Sequence, residues 1–112
     1  NEYLQVEIEH DTEGFLQDIH WADASFGYFP SYALGSAYAA QFYHAMEKDI
    51  PIKRQLTEGN IKAIFTWLEE NIHQYGGFYH TETILQKASG EDFNPDYFID
   101  YLIHKYSLLL GI

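Results

Sequence analysis

The chain has no cysteine, one methionine, and only six lysine and arginine residues against seventeen aspartate and glutamate. The absence of cysteine excludes disulfides and thiolate metal sites within these 112 residues, and it fits a reducing, cytoplasmic setting. The shortage of positive charge leaves a net charge of −11. Such a surface repels phosphate backbones and anionic lipid, so neither a nucleic acid nor a membrane is an expected partner. No apolar run reaches the roughly 20 residues of a spanning helix, and Asn1-Glu2-Tyr3-Leu4 lacks the basic-then-apolar pattern of a secretory leader. What the chain has in excess is aromatic: ten Tyr and eight Phe. That is more than one domain of this size needs to build a core, so part of this surface is expected to face something outside these residues.

Helical periodicity and punctuation organise the rest. After the short Tyr3-Leu4-Gln5-Val6 stretch, an acidic run from Glu7 to Glu13 ends at Gly14, and an ordered loop is expected to about residue 27. Pro30 suits the first turn of a helix, which runs to Lys48 before Asp49-Ile50-Pro51 stops it. Small and apolar residues cover nearly every face of this helix (Ala33, Gly35, Ala37, Ala39 and Ala40 beside Leu34, Tyr38 and Phe42), which predicts burial all round. Asn60 is the expected cap of a second helix, with Ile61, Ile64, Phe65, Leu68 and Ile72 as its stripe and Gly76-Gly77 as its end. A shorter helix is expected from Thr81 to Ala88, closed by Ser89-Gly90. Asn94-Pro95 opens a last helix with the stripe Phe98, Tyr101, Leu102, Lys105, Tyr106 and Leu109. No segment alternates at period two over strand length, so the class is all-α: an irregular bundle of four to five helices behind an ordered N-terminal loop.

Chemistry concentrates in Gly14-Phe15-Leu16-Gln17-Asp18-Ile19-His20-Trp21 and in Gly27-Tyr28-Phe29-Pro30-Ser31-Tyr32. An amide, a carboxylate, an imidazole and two phenols lie close together in otherwise apolar and glycine-rich sequence. In an extended loop, residues two apart share a face, so Asp18 and His20 project together while Ile19 and Trp21 anchor the opposite side. A carboxylate beside an imidazole fixes its tautomer and suits a cationic donor aimed at a developing oxyanion or a substrate carboxylate. Tyr32, in the first turn of a helix, stands where the helix field favours nearby negative charge, and its phenol can donate to an oxyanion. Tyr28 competes for that role, because Gly27 lets its loop bend. Gln17 either binds peptide backbone through its amide or satisfies a loop carbonyl. A lone histidine is more often structural than catalytic, and for Tyr32 a core tyrosine satisfied by a backbone carbonyl is an equal alternative. Trp21 and Phe29 are expected to pack.

The stretch from Gly14 to Trp21 resembles the GxxQDxHW motif of the carboxypeptidase Taq family, and the run from Phe26 to Tyr32 resembles the FGYFPSY segment that follows it. Ala39-Ala40-Gln41, Trp67-Leu68, Asn71-Ile72-His73, Ala88-Ser89-Gly90-Glu91 and Tyr101-Leu102 extend the likeness over essentially the whole chain. Members are HExxH zinc metallocarboxypeptidases, and no HExxH occurs here. The resemblance therefore implies that residues 1–112 are a single C-terminal helical segment of a larger, mainly helical, zincin-like enzyme. It implies zinc held by ligands outside the segment and none within it, and a peptide substrate that loses single C-terminal residues with broad tolerance. It also implies a homodimer when full-length and a fragment inactive alone. Similarity to other HExxH zinc peptidases favours Tyr32 over Tyr28 at the tyrosine position. The implied assignments are His20 and Tyr32 as catalytic residues, with Gln17, Asp18 and Tyr28 binding substrate. Ala24 stands where members often carry glycine, which narrows the backbone angles of that loop.

Two readings from other classes compete. A non-catalytic helical interaction module predicts an exposed aromatic patch. The spacings Glu7-x-x-His10 and Glu70-x-x-His73 resemble the Glu-x-x-His pairs of metal-binding bundles, but Glu7 to His10 lies in poorly helical sequence.

Overall fold

The computed structural model describes residues 7–111, apart from the side chain of Phe15. The stretch Tyr3-Leu4-Gln5-Val6 lies outside the described residues. Every regular element among those described is helical: α1 (Ile19–Ala22), α2 (Pro30–Asp49), α3 (Ile52–Thr57), α4 (Lys62–Asn71), α5 (Thr81–Ser89) and α6 (Asp96–Leu110). Single 3-10 turns occur at Asp11–Glu13, Phe15–Gln17 and His73–Tyr75. The chain divides within α2, between Leu34 and Gly35, into two compact units.

The first unit is not the extended loop expected from its sequence. Two 3-10 turns lead into α1, a four-residue helix capped by Asp18, whose side chain accepts the His20 amide. Asp18 is a strong capping residue because its carboxylate reaches the second amide of the helix, which has no partner inside it. Helical winding turns Ile19 and Trp21 away from the positions an extended strand would give them, and neither is an anchor: Ile19 is 75% exposed and Trp21 47%. Phe29 is likewise exposed. The edge of the Trp21 ring meets Phe26 at 4.9 Å.

In the second unit the core gathers Ala45 and Met46 of α2, Ile52 of α3 and Trp67 of α4, with Ile50, Ile64, Leu68, Ile72 and Ala88 packed against them. The indole of Trp67 donates to Asp49 Oδ2 at 2.6 Å, so the largest core side chain keeps its one polar atom satisfied. Pro51 ends α2 and leads directly into α3, whose Gln55 amide bonds back to the Pro51 carbonyl. The sequence does not foresee this short helix. Asn60 is not the cap of α4. Its amide donates to Gln55 Oε1 at 2.6 Å, closing the turn after α3, and α4 begins after Ile61 with no side-chain cap.

Burial of α2 is one-sided. Ala37, Gln41, Ala45 and Met46 are covered, whereas Leu34 and Tyr43 are exposed, so the expectation of burial all round is not met within these residues. Ala37, Gln41 and Ala45 recur at the four-residue spacing of one helix face, and Met46 directly after Ala45 widens it. Gln41 is 0% exposed and ties three segments together. Its Nε2 donates to Ser89 Oγ at 3.1 Å and to the Asp92 carbonyl at 3.0 Å, and its Oε1 accepts the Asn94 amide at 2.9 Å. Asn94 in turn accepts the Asp96 amide, which starts α6 behind Pro95 as expected. Gln41→Leu is expected to destabilise the chain by about 1–3 kcal/mol, since it strips the acceptor from the half-buried Asn94 amide and the donor from the Asp92 carbonyl. Denaturant unfolding of the two proteins checks this.

The last helix is thinly covered. Phe98 and Leu102 are half-buried, but Tyr101, Tyr106 and Leu109 of the expected stripe are exposed, and Leu108 is 72% exposed. Lys105 Nζ sits 5.5 Å from the Tyr101 ring and 5.9 Å from the Tyr106 ring.

Candidate functional site

In the first unit, α1 and the start of α2 bring together four of the residues singled out in the sequence. Asp18 and His20 do project together, though through cap geometry and not through strand alternation. The same Asp18 Oδ1 accepts the His20 amide at 3.0 Å and lies 2.6 Å from His20 Nδ1. Partial burial works against the Asp18 charge, but the His20 amide, the ring contact and the charge of the ring outweigh it and hold the carboxyl below its usual range. A carboxyl lowered in this way supports the fold above its ordinary pKa and loses that support as pH falls through its lowered value. The stabilisation that the Asp18 carboxylate gives the α1 start is therefore present at neutral pH and weakens in acid.

The His20 side chain is 18% exposed because aromatic rings pack around it. Tyr28, Phe29 and Tyr32 have ring centroids 5.1, 5.9 and 5.7 Å from the imidazole, all tilted. Tyr28 and Tyr32 meet edge to face at 5.7 Å, the preferred aromatic arrangement. They are four residues apart, one helical turn, and Pro30 starts that turn. Ser31 Oγ donates to the Tyr28 carbonyl at 2.6 Å and the Ser31 amide donates to the same oxygen, so the α2 start holds Tyr28 in place. Tyr32 is 58% exposed. The geometry brings both tyrosines to His20. Phe29 also belongs to this ring cluster, although the sequence marked it only for packing. Its position directly before the helix-starting proline was the signal available.

The end of α1 explains the departure at Ala24. The Ser25 amide bonds to the His20 carbonyl at 2.7 Å and the Ala24 amide to the Trp21 carbonyl at 3.2 Å, the paired bonds of a Schellman helix end. That motif puts the intervening residue in the left-handed region, and Ala24 has φ 59°. The matching position after α3 is Gly59, at φ 69°, with the Asn60 amide bonded to the Gln55 carbonyl. A methyl group at a left-handed position costs roughly 1–2 kcal/mol, part of which glycine gives back as unfolded-state entropy. Ala24→Gly is therefore expected to stabilise the chain by up to about 1 kcal/mol and to raise its thermal midpoint. An unchanged or lower midpoint would contradict the strain.

The Gln17 side-chain amide donates to the Thr12 carbonyl. His20 also borders an open concavity of about 570 Å³ lined by Ile19, Ala22 and Asp23. Among the described residues no three His, Cys, Asp or Glu side chains converge on a common point that could hold a metal. Glu7 and His10 precede the first 3-10 turn, Glu70 lies in the last turn of α4, and His73 begins the 3-10 turn after it.

Comparison with known proteins places the chain. The family model described as carboxypeptidase Taq (M32) metallopeptidase matches residues 1–106. Carboxypeptidase 1 of Bacillus subtilis is 47% identical over 109 residues, covering 96% of this chain and 22% of that protein. Thermostable carboxypeptidase 1 of Pyrococcus furiosus is 43% identical over 96 residues, covering 85% of this chain and 19% of that protein. A solved structure of a Pyrococcus furiosus carboxypeptidase superposes with a TM-score of 0.84 at 40% identity, over 94% of this chain and 21% of that one. The chain thus spans about a fifth of the length of the relatives it matches.

Proposed function

The chain belongs to the carboxypeptidase Taq (M32) family of metallopeptidases, and we propose that it is the C-terminal segment of a zinc metallocarboxypeptidase to which it contributes one wall of the active site. The observation that carries this reading is the clustering of Asp18, His20, Tyr28 and Tyr32 within the segment that resembles the family motif. Zinc and its HExxH helix belong, on this reading, to the part of the enzyme outside the segment.

The work of these residues is binding and charge stabilisation. Attack on the C-terminal peptide bond turns the carbonyl into an oxyanion, and preorganised donors lower that barrier more than they tighten ground-state binding. Tyr32 donates its phenolic proton to the oxyanion, and its place in the first turn of α2 adds the favourable field of a helix start. His20 donates from the opposite member of the ring pair. Tyr28, held by Ser31, shapes the same wall, and Gln17 and Asp18 support it. Single C-terminal residues leave with broad side-chain tolerance, as the family resemblance implies.

The full-length protein on this reading is a cytoplasmic homodimer. The apolar side chains exposed on α6 fit a segment that the rest of such an enzyme covers. Peptides with a free or an amidated C-terminus test the activity. Sequential release of single residues from the free form alone, lost on chelation, is the expected result. Equal cleavage of the amidated form, or cuts at internal bonds, would overturn it.

A further inference from the structure

We propose that Asp18 is a positioning residue for His20 and does not itself bind the peptide. The inference rests on the reading above, in which His20 acts on substrate. One carboxylate oxygen, Oδ1, accepts the His20 amide at 3.0 Å and meets His20 Nδ1 at 2.6 Å. A single acceptor shared by the backbone and the ring of the same residue closes a small loop through the histidine, and that fixes both of its side-chain torsions. A cap alone would need only the first contact.

The rest of the surroundings agree. Ring centroids of Tyr28, Phe29 and Tyr32 within 6 Å crowd the imidazole, and the left-handed Ala24 ends α1 just after it. With Nδ1–H given to Asp18, the ring meets substrate through Nε2, and the carboxylate balances the ring's charge when both nitrogens carry protons. Partners that orient metal-ligating histidines are worth about 10- to 100-fold in affinity or activity, and the same orienting contact sets the scale here.

The geometry also decides which substitutions discriminate. The His20 amide demands an acceptor at the Oδ1 position, so Asp18→Asn keeps its oxygen there and can still accept from Nδ1. Asp18→Ser keeps a capping oxygen for the amide but is too short to serve the ring. In the full-length enzyme, Asp18→Ser is expected to lower kcat about 30-fold with KM changed by less than about threefold. Asp18→Asn is expected to recover turnover to within about fivefold of wild type. In a His20→Ala background, Asp18→Ser should cost no more than about twofold further, because the group it positions is gone. Circular dichroism melts confirm that each variant folds.

Three results would overturn the proposal: losses of Asp18→Ser and His20→Ala that multiply, an effect of Asp18→Ser confined to KM, or Asp18→Asn no better than Asp18→Ser. A drop for Asp18→Ser beside an innocuous His20→Ala would make the carboxylate a direct substrate ligand. Should neither variant lose activity, the reading of His20 itself fails, and the positioning role fails with it.

Discussion

His20→Ala and Tyr32→Phe in the full-length enzyme are each expected to lower kcat/KM by about 10²-fold or more, with most of the loss in kcat. A 10²-fold loss corresponds to about 2.7 kcal/mol of transition-state stabilisation, which is what one preorganised donor to an oxyanion supplies. Tyr32→Phe is the cleaner of the two, since it removes one oxygen and keeps the ring that packs 5.7 Å from His20 and from Tyr28. Tyr28→Phe should cost much less if Tyr32 is the donor. Were Tyr28→Phe the damaging variant and Tyr32→Phe silent, the two tyrosines would exchange roles. Were both phenylalanine variants and His20→Ala all within a few-fold of wild type, this wall would have no part in the chemistry.

A second large effect is expected of residues 1–112 prepared alone. They should release no amino acids from any peptide and retain no stoichiometric zinc after dialysis, because the proposed metal ligands lie elsewhere in the enzyme. They should also bind a hydrophobic dye strongly. Leu108, Leu109 and Leu110 at the end of α6, Phe78 after the 3-10 turn and Ile19 beside the candidate site are all more than 60% exposed. Exposed apolar surface of that extent marks an interaction face. Chelator-sensitive peptidase activity from the pure segment would show that the chemistry lies within it, contrary to this account. Failure to bind the dye would mean that the segment covers its own apolar surface.

Local rules written in single residues were legible before any coordinates. Pro30 starts α2, Gly90 ends α5 and Asn94-Pro95 starts α6, because a fixed φ, a left-handed φ and a short capping side chain act on their immediate neighbours. Periodicity alone gave the helical class. The pairing of Asp18 with His20 follows from their two-residue spacing, but through a helix cap and not through strand alternation. A cap on four helical residues joins them, and that alternative could not be told from an extended loop without knowing that Asp18 would turn its oxygen onto the His20 amide.

Other features depended on groups far apart in the sequence. Gln41 reads as one polar residue in an apolar helix, and only folding brings Ser89, Asp92 and Asn94 to its amide. Asn60 reads as a cap, but Gln55 lies close enough to take its side chain. The apolar composition of α2 specifies that it buries a face without specifying how many faces have partners, because burial depends on what surrounds the helix. The sequence by itself determined the helical class, several helix ends and the family motif, all of which act over a few residues. The tertiary structure decided which rings surround His20, which polar group Gln41 satisfies and which apolar faces remain open, since each requires surfaces to meet that the chain order does not place together.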